Sequence, residues 1–316
     1  MYLRLCTLLC LFALTSCYRN QQANSGKESS RKYIHKYGVE LSEKEWKEYG
    51  MHGEVVSTTT EGVTITEHYN HNVLHGPKTW SFPSSKAIQK TALYDKGLCT
   101  KEIIHDTSGL PLSEVEYISE SRQIHRTFSR GGFPYSIETF DDGVLYNGEY
   151  FDREGKLYAA VVDYNGLRVL RDFDGTITRS EKIAHGKPAL ITEYYASGNP
   201  KSITPCDEGV PHGIRRTFFE SSEPASIEPL CEGKLDGTVL LFADGIRACE
   251  VPYVGGLRQG TEYRYDGRRL VQETNWKKGR KHGVSIDHAN PEMPKEWYWE
   301  GEPVTQFTFE QRVTSR

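Results

Sequence analysis

The sequence predicts an all-β protein: an elongated antiparallel solenoid of β-hairpin repeats, with one short helix near the N-terminus. A Gly-x-x-x-Gly step before an alternating run recurs as GVPHGIRRTFF at Gly209, GKLDGTVLLF at Gly233, GLRQGTEYRY at Gly256 and GRKHGVSIDH at Gly279. An active-site loop is needed once, so a motif that returns at a fixed period is architectural. Each unit also splits into two short strand patterns around a turn; RVLRDF, DG, TITRSEKI carries the strongest short hairpin signal, Asp-Gly between alternating runs. Finally, 37% hydrophobic content suits a thin, one-faced sheet, while 19 Tyr, 12 Phe and 5 Trp argue against disorder.

Residues 1–16, MYLRLCTLLCLFALTS, read as an export signal: one basic residue, Arg4, then an apolar run from Leu5 to Leu14. That run is shorter than the roughly 20 residues a membrane-spanning helix needs. LTSC resembles a bacterial lipobox, which implies acylation of Cys17. Loss of Arg4 leaves 38 basic residues against 43 acidic ones. Such a chain has no electrostatic footprint for nucleic acid or anionic lipid, so the expected membrane attachment is through the lipid on Cys17. Tyr18, in place of aspartate after that cysteine, matches outer-membrane sorting in a two-membrane envelope.

Residues 17–40 comprise this cysteine and a polar segment without period, read as a flexible tether. Residues 41–50, LSEKEWKEYG, carry a capping box, Ser42 with Glu45, and predict the short helix. Residues 51–316 form the repeat domain. Its frame positions fall at Gly53, Gly76, Lys101, Ile124, Gly148, Leu170, Ala189, Gly213, Gly237, Gly260 and Gly283, in steps of 19 to 25 residues. Alternation after each marker sets Ile214, Arg216 and Phe218, Thr238, Leu240 and Phe242, Thr261, Tyr263 and Tyr265, and Val284, Ile286 and His288 on a buried face. Tyr194, Phe218, Phe242 and Tyr265 then form an aromatic ladder, and Tyr263 and Trp276 join them as packing or interaction residues. Pro205, Pro229 and Pro252 recur at one position and predict a strand end or bulge there.

The turns YASG and YDG, the HG and DG frame glycines and a period near 23 together resemble the MORN-variant repeat family, YwqK-like, over Gly50 to Val304. The resemblance implies a twisted antiparallel sheet, one hairpin per repeat and no shared catalytic residues. Members are often predicted lipoproteins, and one group is described as antitoxin or immunity proteins. Lys101, Ile124, Leu170 and Ala189 depart from its glycine pattern.

His68, His71 and His75 lie within eight residues, but on a strand residues three apart face opposite ways, so turn roles are expected and no metal. Cys206 and Cys231 fall in corresponding strands with one between, about 9.6 Å apart, too far for a disulfide. No G-x-S-x-G, P-loop, H-E-x-x-H or paired CxxC occurs. The expected function is a non-catalytic, membrane-anchored envelope lipoprotein that binds protein partners, with no cofactor; the alternative is an immunity protein that blocks a toxin.

Overall fold

A computed structural model describes residues 27–49 and 51–315. Cys17 and the export signal lie outside the described residues. The chain is all-β, built from antiparallel hairpins in sequence order with two helices, and it divides into two units between Pro111 and Leu112. Thus the repeats expected as one domain over 51–316 are apportioned between two units.

In the first unit the capping box forms as read. Ser42 N–H and Oγ donate to Glu45 Oε2, Glu45 N–H donates back to Ser42 Oγ, and α1 (Glu43–Tyr49) follows. Trp46, on its buried face, packs on Tyr33 and Tyr69 with ring centroids 5.6 and 6.0 Å away. The tether expected over 17–40 is shorter than read, because Glu28–His35 is a strand paired with His52–Thr59. The pairing partner supplies the order there: ESSRK is polar, and a strand at a sheet margin needs no apolar side chain to form its ladder.

In the second unit the alternation is as expected but the buried side is the opposite one. Ile214 is 45% exposed and Arg216 and Thr238 are exposed, whereas Val239, Glu262 and Ser285 are buried. The buried face is rich in hydroxyls and carboxylates, among them Ser136, Glu138, Glu181, Ser202, Ser226, Glu262 and Thr274. Cross-strand pairing satisfies them: Thr127 Oγ1 lies 2.7 Å from Ser136 Oγ, Thr217 Oγ1 2.7 Å from Ser226 Oγ, and Ser202 Oγ donates to Glu193 at 2.8 Å. A rule that places apolar residues inside fails where polar residues bond one another.

The Gly-x-x-x-Gly step is a tight turn followed by a bulge. Its first glycine closes a two-residue left-handed turn, as at Glu208–Gly209 (φ 48° and 83°), the conformation that suits hairpin twist. Between the Leu230–Leu235 and Ser226–Leu241 pairs, one strand advances two residues more than its partner, and Gly237 takes φ 119° within this bulge. Pro229 lies across from it, accepting Asp236 N–H at its carbonyl, as Pro205 accepts from His212 and Pro252 from Gln259. The prolines therefore sit opposite bulges, as read. At Lys101, Gly148 and Ala189 the ladder slips by one residue only, and no left-handed residue is needed at the marker. The marker assigned to Leu170 belongs at Gly166, which follows the Asp163–Tyr164 turn with φ 145°; a Cβ there would run into the Ala160 carbonyl.

Successive turns on this edge are joined. The residue before the bulge position accepts a hydrogen bond from the next turn's backbone: Asn147 from Asp163 N–H at 3.0 Å, Asn165 from His185 N–H at 3.3 Å, Gln259 from Lys278 N–H at 2.9 Å and His282 from Glu300 N–H at 3.3 Å. Turns on the other edge carry an aspartate that accepts two N–H groups, as Asp152 does from Glu154 and Lys156, and Asp172 from Asp174 and Thr176.

α2 (Gln306–Thr314) is absent from the sequence reading. Thr305 caps it by accepting Thr308 N–H, and Phe309 packs on Trp297, Trp299 and His282 at 5.2–5.5 Å.

Candidate protein-binding surface

Two features of the second unit stand out chemically. The first is a buried ionic cluster. Arg168, on the strand Asn165–Arg171, donates through Nε and Nη2 to Glu138 at 2.6 and 2.9 Å, and through Nη1 to Glu181 at 3.2 Å. Tyr150 hydroxyl donates to Glu138 at 2.8 Å. Burial and the neighbouring Glu138 carboxylate push the Tyr150 phenol far above its ordinary range, and bonding to Glu138 outweighs the burial of Arg168, so its guanidinium stays charged. Glu138 and Arg168 lie on strands with two others between them, about 14 Å apart if the sheet were flat. The direct bonds require the sheet to fold sharply here, and Leu145, Tyr150, Val161, Val169 and Ile183 pack together at that fold. Every carboxylate in this cluster is bonded to a base or a phenol, and the arrangement serves to hold the fold.

The second feature lies on the edge of aspartate-capped turns, over residues 130–176. Arg130 stacks on the Phe173 ring at 5.1 Å and pairs with Asp174 at 3.0 Å. Arg171 lies 5.4 Å from the Tyr158 ring centroid and is fixed by the Phe151 and Gly175 carbonyls. Beside them Phe133 is 67% and Tyr158 56% exposed. Arginine and aromatic side chains held in place, with apolar area in water, are the composition of protein-binding hot spots. The turn motifs SRGG, DREGK and DFDG mark this edge in the sequence, but three separate turns supply it, so spacing alone does not unite them.

The residues singled out from the sequence occupy other places. Tyr194, Phe218, Phe242 and Tyr265 are half-buried on the face opposite the polar one, and among the described residues no two of their rings pair. A returning strand separates each from the next, leaving them two strand spacings apart. Tyr194, Tyr265 and Trp276 have local partners instead: Tyr194 hydroxyl lies 2.9 Å from Ser180 Oγ, Tyr265 donates to Glu250 at 3.0 Å under Arg247, and Trp276 lies 4.5 Å beneath Arg258. Tyr263, opposite Glu273, is half-buried on the same face. Gly53, Gly76, Gly213, Gly237, Gly260 and Gly283 all have positive φ; Gly148 does not, and glycine is needed there because a Cβ would strike the Tyr150 hydroxyl.

His68 bonds Pro77 carbonyl and Glu54, His75 bonds Asp95, and His71 sits against His52, so the three rings do not converge. Cys99, Cys206, Cys231 and Cys249 are free thiols, and burial raises the pKa of Cys99, Cys206 and Cys249.

No protein-family model and no curated protein matches the chain. Among solved structures, S. aureus TarM in complex with fondaparinux, alpha-GlcNAc-glycerol and UDP aligns at 14% identity over 35% of this chain and 21% of its own, with a TM-score of 0.20. The chain thus spans about a fifth of the TarM chain. A porin-like protein from Bacteroides uniformis aligns at 11% identity over 80% of this chain and 88% of its own, with a TM-score of 0.17. BamB from Moraxella catarrhalis aligns at 8% identity over 80% and 72%, with a TM-score of 0.14. At these scores none bears on what the chain does.

Proposed function

We propose that the chain is a non-catalytic protein-binding scaffold of the MORN-variant type, held at a cell-envelope membrane, the outer one, by lipid on Cys17. The observation that carries the binding part is the arginine and aromatic edge. Arg130 and Arg171 are oriented by Phe173 and Tyr158 while Phe133 stays in water. The anchoring part is supported by the lipobox-like LTSC and the apolar run before it.

Crosslinking in intact cells, capture through a C-terminal tag and mass spectrometry test both parts, with Cys17→Ala and a Phe133→Ser/Tyr158→Ala variant in parallel. The expected result is a set of envelope proteins lost with either change. Partners unaffected by the edge variant place binding elsewhere, and partners unaffected by Cys17→Ala remove the lipid anchor. One stoichiometric partner encoded beside this chain is the signature of an immunity protein.

A further inference from the structure

Each helix of the chain is seated on the sheet through an aromatic side chain. In the first unit Trp46 of α1 packs on Tyr33 and Tyr69, and in the second Phe309 of α2 packs on His282, Trp297 and Trp299. α2 has nine residues, none of them buried, and its Arg312 lies over the Trp299 ring at 5.7 Å. An isolated helix shorter than about 12 residues is marginal in water. The sheet face under Phe309 therefore keeps α2 helical.

The same face runs on from this seat through the second unit. Trp297 lies opposite Val284, Ile286 opposite Glu273, and Tyr263 opposite both Glu273 and Glu250. Leu240 lies opposite Glu250 and Ile227, and Ile227 opposite Arg216. Around Ile227 and Leu240 the face is apolar, with Ile214, Phe218 and Phe242 on the same side. Ile214 is 45% exposed and the other four are half-buried. Among them Arg216 is exposed, and among the described residues it has no carboxylate partner. We propose that this stretch receives an amphipathic helix of a partner protein, laid on the sheet as α2 is, with an apolar side chain over Ile227 and Leu240 and, one turn away, a carboxylate on Arg216. A helix is the cover this face takes from the chain itself, and residues one turn apart share a helix face. A lipid surface would draw Glu250 and Glu273 of the same row out of water. A second copy, laid on the stretch about a two-fold axis through it, would bring Arg216 toward its own counterpart. The proposal stands on this face alone and depends neither on Cys17 nor on the arginine and aromatic edge.

The test uses the full-length chain and, as probe, a hydrocarbon-stapled helical peptide of residues 305–316, TQFTFEQRVTSR, made with Arg312→Glu and with photoreactive benzoylphenylalanine in place of Phe309. The glutamate then lies one turn from the reactive ring. Irradiation should link the peptide saturably to the strands Gly213–Phe218, Pro224–Cys231 and Gly237–Ala243. The same peptide with Arg312 kept should bind about tenfold less tightly, and Arg216→Glu in the chain should invert that preference. Leu240→Ser should weaken both, with far-UV circular dichroism and urea midpoints showing that each variant is folded. The proposal is overturned by the absence of a saturable link, by links confined to His282, Trp297 and Trp299, or by binding that Arg216→Glu and Leu240→Ser leave unchanged. Competition by phosphatidylethanolamine and phosphatidylglycerol vesicles would make the stretch a lipid seat instead. Links between the stretches of isotope-distinguished copies would make it a self-contact, and either result overturns the proposal.

Discussion

Arg168 and Glu138 are joined by two hydrogen bonds, at 2.6 and 2.9 Å, although 30 residues and two intervening strands separate them. The pair holds the fold of the sheet closed. Arg168→Met leaves Glu138 buried without its cation, at an expected cost of about 3–5 kcal/mol in urea denaturation. Arg168→Met with Glu138→Leu should cost less than Arg168→Met alone, since no buried charge is then left without its partner.

His125 gives the same region a pH dependence. It lies across from Glu138, bonds Gln123 at 3.1 Å and packs on Phe140, and burial holds its pKa below the ordinary 6.5, against the pull of Glu138 and with the push of Arg168. As pH falls the unfolded chain takes up this proton first. The contribution of neutral His125 is therefore complete above about 6.5 and is lost as pH falls through that value toward the folded pKa. Urea midpoints measured between about pH 7.5 and pH 5.5 should decline, and His125→Gln should reduce that decline.

Frame positions with and without glycine should respond differently. Gly237→Ala puts a Cβ at φ 119° within 3.1 Å of Pro229, and thermal unfolding should show a loss of about 1–3 kcal/mol. Ala189→Gly, where the ladder slips by a single residue, should cost only the entropy of glycine, about 0.5–1 kcal/mol.

At the arginine and aromatic edge, Phe133→Ser should change stability by less than about 0.5 kcal/mol, because its ring already lies in water. A denaturation curve that matches the parent chain, together with lost partner capture, separates a contact residue from a structural one.

Most of the fold is legible in the sequence because its signals are local. The Asp-Gly turns, the Ser42–Glu45 box and the recurring prolines each act within a few residues, and the structure has each of them where the sequence reading puts it. The buried face is not legible, because Ser, Thr and Glu are inside only by virtue of partners on neighbouring strands, such as Thr274 with Ser285. The helix Gln306–Thr314 escapes for a related reason: its anchor, Phe309, is explained by Trp297 and Trp299 on another element. The candidate surface is assembled from three turns of unrelated sequence, and the Glu138–Arg168 pair spans a fold that no periodicity announces.

The turn-to-turn hydrogen bonds have a direction. Asn147, Asn165, Gln259 and His282 each offer an acceptor to the turn that follows, and in these bonds no later side chain serves an earlier turn. Losing repeats from the end therefore idles one acceptor, whereas losing them from the beginning strips a donor of its partner. Synthesis runs from the N-terminus, so each new hairpin emerges beside a finished template. In this respect the array is vectorial: it can be extended by its own last member, one turn at a time, in the order in which the chain is made.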